Sequence, residues 1–426
     1  MAFNTALSGL NAAQADLGVT SNNIANVSTT GFKESRAEFA DIFANSALGT
    51  SNNAVGSGVL LSQVAQQFSQ GNLEFTRNTL DLAITGEGFF VLGANTSSDE
   101  LIYSRAGAFG VDSEGFVVNS NGESLRAFAV NPDGTVTGTS LSSTIPLRLP
   151  DTAGLPTATS EIEISVNLQA NASGLDPALF DPTSPSTFTN STSVNVFDSL
   201  GEAHAATVYF VKDAATPNTW AQYMYVDGNA VDVAGGTAGA GGQLYGTLTF
   251  DTSGALLAES PSPMSTVALG FTNGSNAGQT FSMDYANNAP SQFASDFTVN
   301  RLIQDGFPIG RLTSVNISES GIVLANYSNG QQTPLGKIAL ARFANSQGLQ
   351  QKGGTVWSET LDSGVALAGE AGTSSFGSIR GGALESSNVD LTKELVHLIT
   401  AQRNFQANAK SIETENAITQ TVIQIR

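Results

Sequence analysis

Residues 391–423 read LTKELVHLITAQRNFQANAKSIETENAITQTVI, and residues 3–24 read FNTALSGLNAAQADLGVTSNNI. In the first stretch Leu391, Leu395, Leu398, Gln402, Phe405, Ala409, Ile412, Asn416, Thr419 and Ile423 follow one another by alternating steps of four and three. In the second, Phe3, Leu7, Leu10, Gln14, Leu17, Ser21 and Ile24 do the same. A mean step of about 3.5 residues is the period of a coiled-coil seam. Alanines raise helix propensity in the N-terminal segment, while Gly9 and Gly18 lower it. At about 1.5 Å per residue the C-terminal helix is roughly 50 Å long and the N-terminal one roughly 30 Å. Ser387 and Asp390 suggest a capping box ahead of the longer helix.

Both seams are weak. Gln14, Ser21, Gln402, Asn416 and Thr419 stand where a stable coiled coil takes leucine or isoleucine. The expectation is that these ends are marginal in a lone chain and complete their folding against neighbouring copies.

Working inward, the texture changes. Residues 29–71 and 359–383 read as a linker or irregular extended region. Short apolar runs then appear between turn formers such as Asp133-Gly134: Leu80–Ile84, Phe89–Leu92, Phe116–Val118 and Leu125–Val130. Residues 151–190, rich in Pro, Ser, Thr and Ala, look like an inter-domain stretch. Strand candidates follow at Ser193–Phe197, Ala206–Val211, Gln222–Val226 and Leu244–Phe250, with a Gly/Ala loop at 228–242 that is not expected in a core. They resume at Ile317–Ser318, Ile322–Tyr327 and Gly336–Phe343. The fold class expected is mainly β, with two or more nested β domains and terminal α-helices that form a coiled coil in the assembly. The expected divisions are 1–28 with 384–426 (helical), 29–71 with 359–383 (linker), 72–150 with 290–358 (inner β domain) and 151–289 (outer β domain).

Composition narrows the function classes. The 426 residues include 13% charged residues, 44 Gly and no Cys, with a net charge of −20. Residues 1–50 carry four acids and two bases and residues 384–426 five acids and four bases, so 17 of the 20 net negative charges lie between them. So acidic a middle disfavours nucleic acid and anionic membrane as partners. No apolar run is long enough for a membrane-spanning helix, and the N-terminus lacks the basic and apolar regions of a secretory signal peptide. Export, on this reading, uses another route.

No catalytic constellation emerges. The two histidines, His204 and His397, stand alone in sequence, without the clustered His or Cys of a zinc site. Gly86-Glu87-Gly88 precedes no helix pattern, and Gly330–Lys337 misses the phosphate-loop spacing by one residue. Asp112-Ser113-Glu114-Gly115 and Asp133-Gly134 lack the ligand alternation of a calcium loop and read as turns. No G-x-S-x-G elbow follows a strand. Two Trp and seven Tyr are few for a glycan-processing cleft. The expectation is no enzyme, no cofactor and no metal.

Residues 21–33, SNNIANVSTTGFK, close the N-terminal helix. Asparagine tolerates left-handed backbone and glycine permits the turn that follows. This block resembles the signature of bacterial flagellar rod and hook proteins, with Asn23, Asn26, Thr30, Gly31 and Phe32 as its marks. Further blocks resemble the same family: 67–73 (QFSQGNL), 80–84 (LDLAI) with 86–90 (GEGFF), 104–109 (SRAGAF), 327–331 (YSNGQ), 382–391 (GALESSNVDL), and 401–408 (AQRNFQAN). Phe197-Asp198-Ser199-Leu200-Gly201, with His204 and Thr207–Phe210, resembles the outer domain of the hook branch.

The resemblance implies a structural subunit that self-assembles into a flexible, curved helical tube carrying motor torque from rod to filament. The helical ends would form the inner coiled coil, through Leu7, Leu10, Leu17, Ile24, Leu391, Leu395, Leu398, Phe405, Ile412 and Ile423. It also implies an extracellular location on the flagellum, and as partners the hook cap protein, the distal rod protein, the hook–filament junction protein and the flagellar type III export apparatus. The cysteine cross-link of some members has no counterpart here. A distal rod protein and a secreted β-rich adhesin are the alternatives; the block at 193–211 argues against the first and the paired heptad ends against the second.

Overall fold

The computed structural model describes residues 2–42, 56–96, 98, 100–152, 154–285, 289–373 and 375–424. Among these residues two helices, α1 (Ala2–Ala25) and α2 (Leu391–Gln424), sit at the ends, and the other regular elements are strands and short 3-10 turns. Asp390 is itself the N-cap of α2, its Oδ1 accepting the N–H groups of Thr392 at 2.8 Å and Lys393 at 3.2 Å. Ser387 instead caps a turn, taking the Val389 N–H at 3.3 Å, so the expected capping box is replaced by a single aspartate cap.

The described chain forms two compact units. The first comprises residues 1–151, 312–326 and 332–426. Its main sheet pairs strands from both halves of the sequence. Gln332–Arg342 lies against Ser124–Phe128 through Lys337↔Phe128, and against Phe89–Gly93 through Leu340↔Phe90. Alternation along these strands gives the sheet two buried faces. Phe90, Leu92, Ile338 and Leu340 fill one side. Phe89, Val91, Ala339 and Ala341 fill the other, with Tyr103, Phe343 and Trp357. Burial on both faces explains why 89–92 reads as an unbroken apolar run. Leu73–Phe75 pairs with Ala383–Glu385 and Leu82–Thr85 with Ser378–Gly381, so the chain entering this unit is stitched to the chain leaving it.

Besides Ser378–Gly381, two further parts of the expected linker are ordered strands. β1 (Ser35–Asp41) and β2 (Val59–Gln66) form an antiparallel hairpin, and Leu367–Glu370 joins the main sheet beside Gln332–Arg342. The polar side chains that suggested a linker lie on a ribbon with only one residue, Ala65, fully buried. The linker reading of 43–55 lies outside the described residues.

The second unit comprises residues 152–311 and 327–331. A seven-stranded sheet runs through Asn190–Phe197, Ala203–Lys212, Thr219–Val226 and Leu244–Phe250. A four-stranded sheet holds Glu161–Asn167 between Ser282–Asp284 and Thr298–Gln304. Ile162, Ile164 and Val166 share a core with Val208, Phe210, Trp220 and Met224. The alternate residues of the larger sheet, Val211, Ala221 and Tyr223, pack on Phe180 across the other face.

Three expectations are corrected here. The 151–190 stretch contains a core strand, Glu161–Asn167. The Gly/Ala loop at 228–242 supplies two core side chains, Val231 and Val233. Residues 298–304, expected in the inner β domain, pair with Glu161–Asn167 and belong to the second unit. In the first two cases a few β-branched residues were enough to enter a core despite polar or glycine-rich surroundings, whereas 298–304 joins through backbone pairing and the partly buried Leu302.

Candidate assembly site

The helices α1 and α2 run antiparallel. Asn23 Nδ2 donates to Glu394 Oε2 at 3.2 Å, and Thr20 Oγ1 lies 3.1 Å from His397 Nδ1. Further along, a Cβ added at Gly9 would lie 2.7 Å from Asn408 Oδ1. Partners thus run 9, 20, 23 against 408, 397, 394 in equal steps, the register of an unbroken helix pair. The line of contact is built from small and polar residues: Ala13, Thr20 and Asn23 on α1, and Glu394 and Ala401 on α2, are buried. Small side chains let the two backbones approach closely.

This contact line differs from the expected seam. Leu10, Leu17, Ile24, Leu398, Phe405 and Ile412 are half-buried beside it. Leu7, Leu391 and Leu395 are 40–43% exposed, and Ile423 is 68% exposed. Val396 and Ile399 are exposed as well, so an apolar stripe of α2 has no cover among the described residues. The seam inferred from leucine spacing is therefore only partly used within one subunit.

The marks of the N-terminal block hold the base of the pair. Asn23 is buried, and its amide brackets Ser35: Nδ2 donates to the Ser35 carbonyl at 2.8 Å while Oδ1 accepts the Ser35 N–H at 2.9 Å. One side chain thereby joins α1, the start of β1 and Glu394 of α2. Asn26 ends α1 by folding its side-chain amide back to the Asn22 carbonyl at 2.9 Å. Its Oδ1 accepts the Thr29 hydroxyl at 3.1 Å. Thr30 is half-buried and Phe32 buried. Gly31 takes φ +69°, and a Cβ there would lie 2.5 Å from the Ala106 nitrogen. Its N–H donates to the Glu385 carbonyl at 2.8 Å.

Below this turn lies a buried ionic cluster that spacing alone does not reveal. Lys33 and Glu385 are fully buried and paired at 2.6 Å. Lys33 also donates to the Ser69 carbonyl at 2.9 Å, and Glu385 Oε1 accepts the Gly71 N–H at 2.9 Å. Arg105 reaches Glu385 Oε2 at 3.5 Å and donates to the Gly86 carbonyl at 2.9 Å. Asn388 closes the ring, accepting the Glu34 N–H at 2.7 Å and donating to the Gln67 carbonyl at 2.7 Å. Burial pushes the Lys33 ammonium below the usual lysine range, and Glu385 opposes that shift. The blocks at 21–33, 67–73, 104–109 and 382–391 converge on this one cluster. Lys33, Arg105, Glu385 and Asn388 are the functional candidates that the helix-seam reading passed over. The available signal was charge placed inside Gly/Asn-rich blocks of a chain with few charges.

The geometry is that of a scaffold holding a helix pair on a β unit. Family models match in the same places: a flagella basal body rod protein model over residues 3–33 and a flagellar basal body rod FlgEFG protein C-terminal model over 380–425. A flagellar hook protein FlgE/F/G D1 domain model matches 83–168, and a flagellar basal body protein FlaE D2 domain model matches 167–307. The flagellar hook protein FlgE of Escherichia coli (strain K12) is 38% identical over 430 residues, covering 100% of both chains. This chain belongs to the flagellar hook protein family. The FlgE hook protein of Borreliella burgdorferi is 32% identical, covering 99% of this chain and 98% of its own. The crystal structure of the Helicobacter pylori hook protein FlgE2 matches with a TM-score of 0.50 at 17% identity, covering 74% of this chain and all of that one, a likeness of fold. Among its described residues the hook-family chain is mainly β, with α-helices only at its ends.

Proposed function

We propose that this hook-family chain polymerises with copies of itself into a flexible curved tube that transmits torque from rod to filament, outside the cell and without catalysis. The proposed organisation is terminal helices (1–28 with 384–426) as the inner coiled coil, a connecting region (29–71 with 359–383), an inner β domain (72–150 with 290–358) and an outer β domain (151–289). The connecting region includes the β1–β2 hairpin, and residues 290–311 and 327–331, which fall in the second compact unit, go with the outer domain. The observation that carries the reading is the uncovered stripe of Leu391, Leu395, Val396 and Ile399 on a helix already paired along another line. Contiguous apolar surface of this kind suits a protein–protein contact. In the assembly Leu7, Leu10, Leu17, Ile24, Leu398, Phe405, Ile412 and Ile423 contribute to the same packing.

Full-length similarity to hook proteins, including the residues of the second unit, supports a hook subunit over a distal rod protein or an adhesin. Neighbours proposed on family grounds are the hook cap, the distal rod and the hook–filament junction proteins, with the flagellar type III apparatus as exporter. Electron microscopy of the purified full-length protein tests the reading. Curved tubes are expected, and a protein that stays monomeric under all polymerising conditions contradicts it.

A further inference from the structure

In the second unit, strand Asn190–Phe197 ends in a tight turn, Asp198-Ser199-Leu200-Gly201-Glu202, that leads into Ala203–Lys212. Asp198 is fully buried. Its Oδ1 accepts the N–H groups of Leu200 at 2.9 Å and Glu202 at 2.8 Å, which shapes the turn and leaves Oδ2 pointing elsewhere.

Oδ2 of Asp198 faces His204, whose side chain is 10% exposed. The ring is stacked on Phe271 with centroids 3.9 Å apart. Its Nδ1 lies 2.6 Å from Asp227 Oδ2, the geometry of an N–H donated to a carboxylate. Asp227 is held in turn, its Oδ1 accepting the Ala205 N–H at 2.9 Å. With the proton on Nδ1, Nε2 carries a bare lone pair. That Nε2 is buried without a hydrogen-bond partner, and Asp198 Oδ2 is 3.5 Å away. The separation is long for a hydrogen bond. In that tautomer a lone pair faces a carboxylate oxygen, which also accepts the Asn273 amide.

The same separation suits two ligands of one ion. Ligand atoms at about 2.1 Å from a tetrahedral centre lie roughly 3.4 Å apart. A third donor is at hand: ligand atoms of Asp198, Glu202 and His204 lie within 4.8 Å of one another. Asn273 Nδ2 donates to both Asp198 Oδ2 and Glu202 Oε2 and keeps the two carboxylates together. Glu202 and His204 line a cleft of about 600 Å³ together with Asp227 and Asn273, with room for a water as fourth ligand. A carboxylate holding the far nitrogen of a liganding imidazole is the usual outer support of such a site, and Asp227 is so placed. Imidazole with two carboxylates suits a zinc-like first-row divalent ion rather than calcium or magnesium, which take all-oxygen shells.

The geometry points to a divalent-metal site of the zinc class formed by His204 Nε2, Asp198 and Glu202, with Asp227 orienting the imidazole. A bound ion ties the 198–202 turn to the strand that follows it. The isolated sequence positions of the histidines hid this, because strand pairing and turns supply the other partners.

Isothermal titration of zinc into the chelator-treated full-length chain tests the site, with His397→Gln as the control for the other histidine. One zinc per chain is expected, with a raised unfolding temperature on loading. Glu202→Gln, an exposed change that leaves the core intact, lowers affinity by about tenfold or more. His204→Gln abolishes binding, and His397→Gln leaves it unchanged. In nitrogen NMR, zinc shifts His204 Nε2. Three results each overturn the proposal: no stoichiometric zinc on a folded chain, equal binding by Glu202→Gln and the parent, or a His204 ring doubly protonated at neutral pH and indifferent to zinc.

Discussion

At the scale of single residues, the hook-family signature acquires a physical reading from two positions. Gly31 combines a left-handed φ with a backbone neighbour 2.5 Å from where a Cβ would sit. Gly31→Ala therefore costs more than the ~1 kcal/mol of the left-handed conformation alone, because Ala106 has to move. Denaturant unfolding reads this directly. Glu385 is the anion shared by two buried cations, so Glu385→Gln leaves Lys33 and Arg105 uncompensated and costs about 3–5 kcal/mol. The Lys410–Glu413 pair is by contrast solvated, and removing one of its partners leaves stability nearly unchanged. Adding Lys33→Met to Glu385→Gln should restore part of the loss, and failure of any rescue contradicts the shared-anion account. The sequence showed where these residues were but not that they meet. Glu385 is 352 positions from Lys33 and 280 from Arg105, and no local periodicity links such distances.

At the scale of elements, the helical ends were legible and their facing was not. Steps of four and three occur on two neighbouring stripes of α2. Leu391, Leu395 and Leu398 make the conspicuous one, while Glu394, Ala401 and Asn408 meet α1. Hydrophobic spacing favours the leucine stripe; close backbone approach favours the small one. Ala401→Leu overpacks the contact line and should destabilise the helix pair by about 1–3 kcal/mol. Helical circular dichroism of the monomer during thermal unfolding measures it, and an unchanged midpoint contradicts the assigned register. The β1–β2 hairpin was missed for a related reason. It is a ribbon with one fully buried residue, so alternation of polar and apolar side chains is faint along it.

At the scale of the whole molecule, the nested connectivity was legible because the resembling blocks at 67–109 and 327–391 bracket a long insertion. The limits of that insertion were not, since residues 298–304 join it by pairing with a strand some 130 positions earlier. Asp305, at the end of that pairing, binds the N–H and hydroxyl of Ser160 and the N–H of Glu161. Burial raises its carboxyl, but these donors outweigh burial and hold it below the usual aspartate range. A depressed carboxyl contributes stability that is present above its unfolded pKa, near about 3.9, and is lost as pH falls through the folded value. Asp305→Asn should therefore lose less stability than the parent between neutral pH and about pH 3, measured by urea unfolding at each pH. Equal losses contradict that linkage.

The central claim is that the leucine stripe left open by the α1–α2 pair is the surface on which copies of the chain assemble. Changing Leu391 and Leu395 together to serine, both on exposed positions, should leave monomer unfolding within about 0.5 kcal/mol per site. Electron microscopy of this variant beside the parent is the most direct test. The account predicts a folded monomer that forms no tubes under conditions where the parent does; tubes formed as readily as by the parent contradict it.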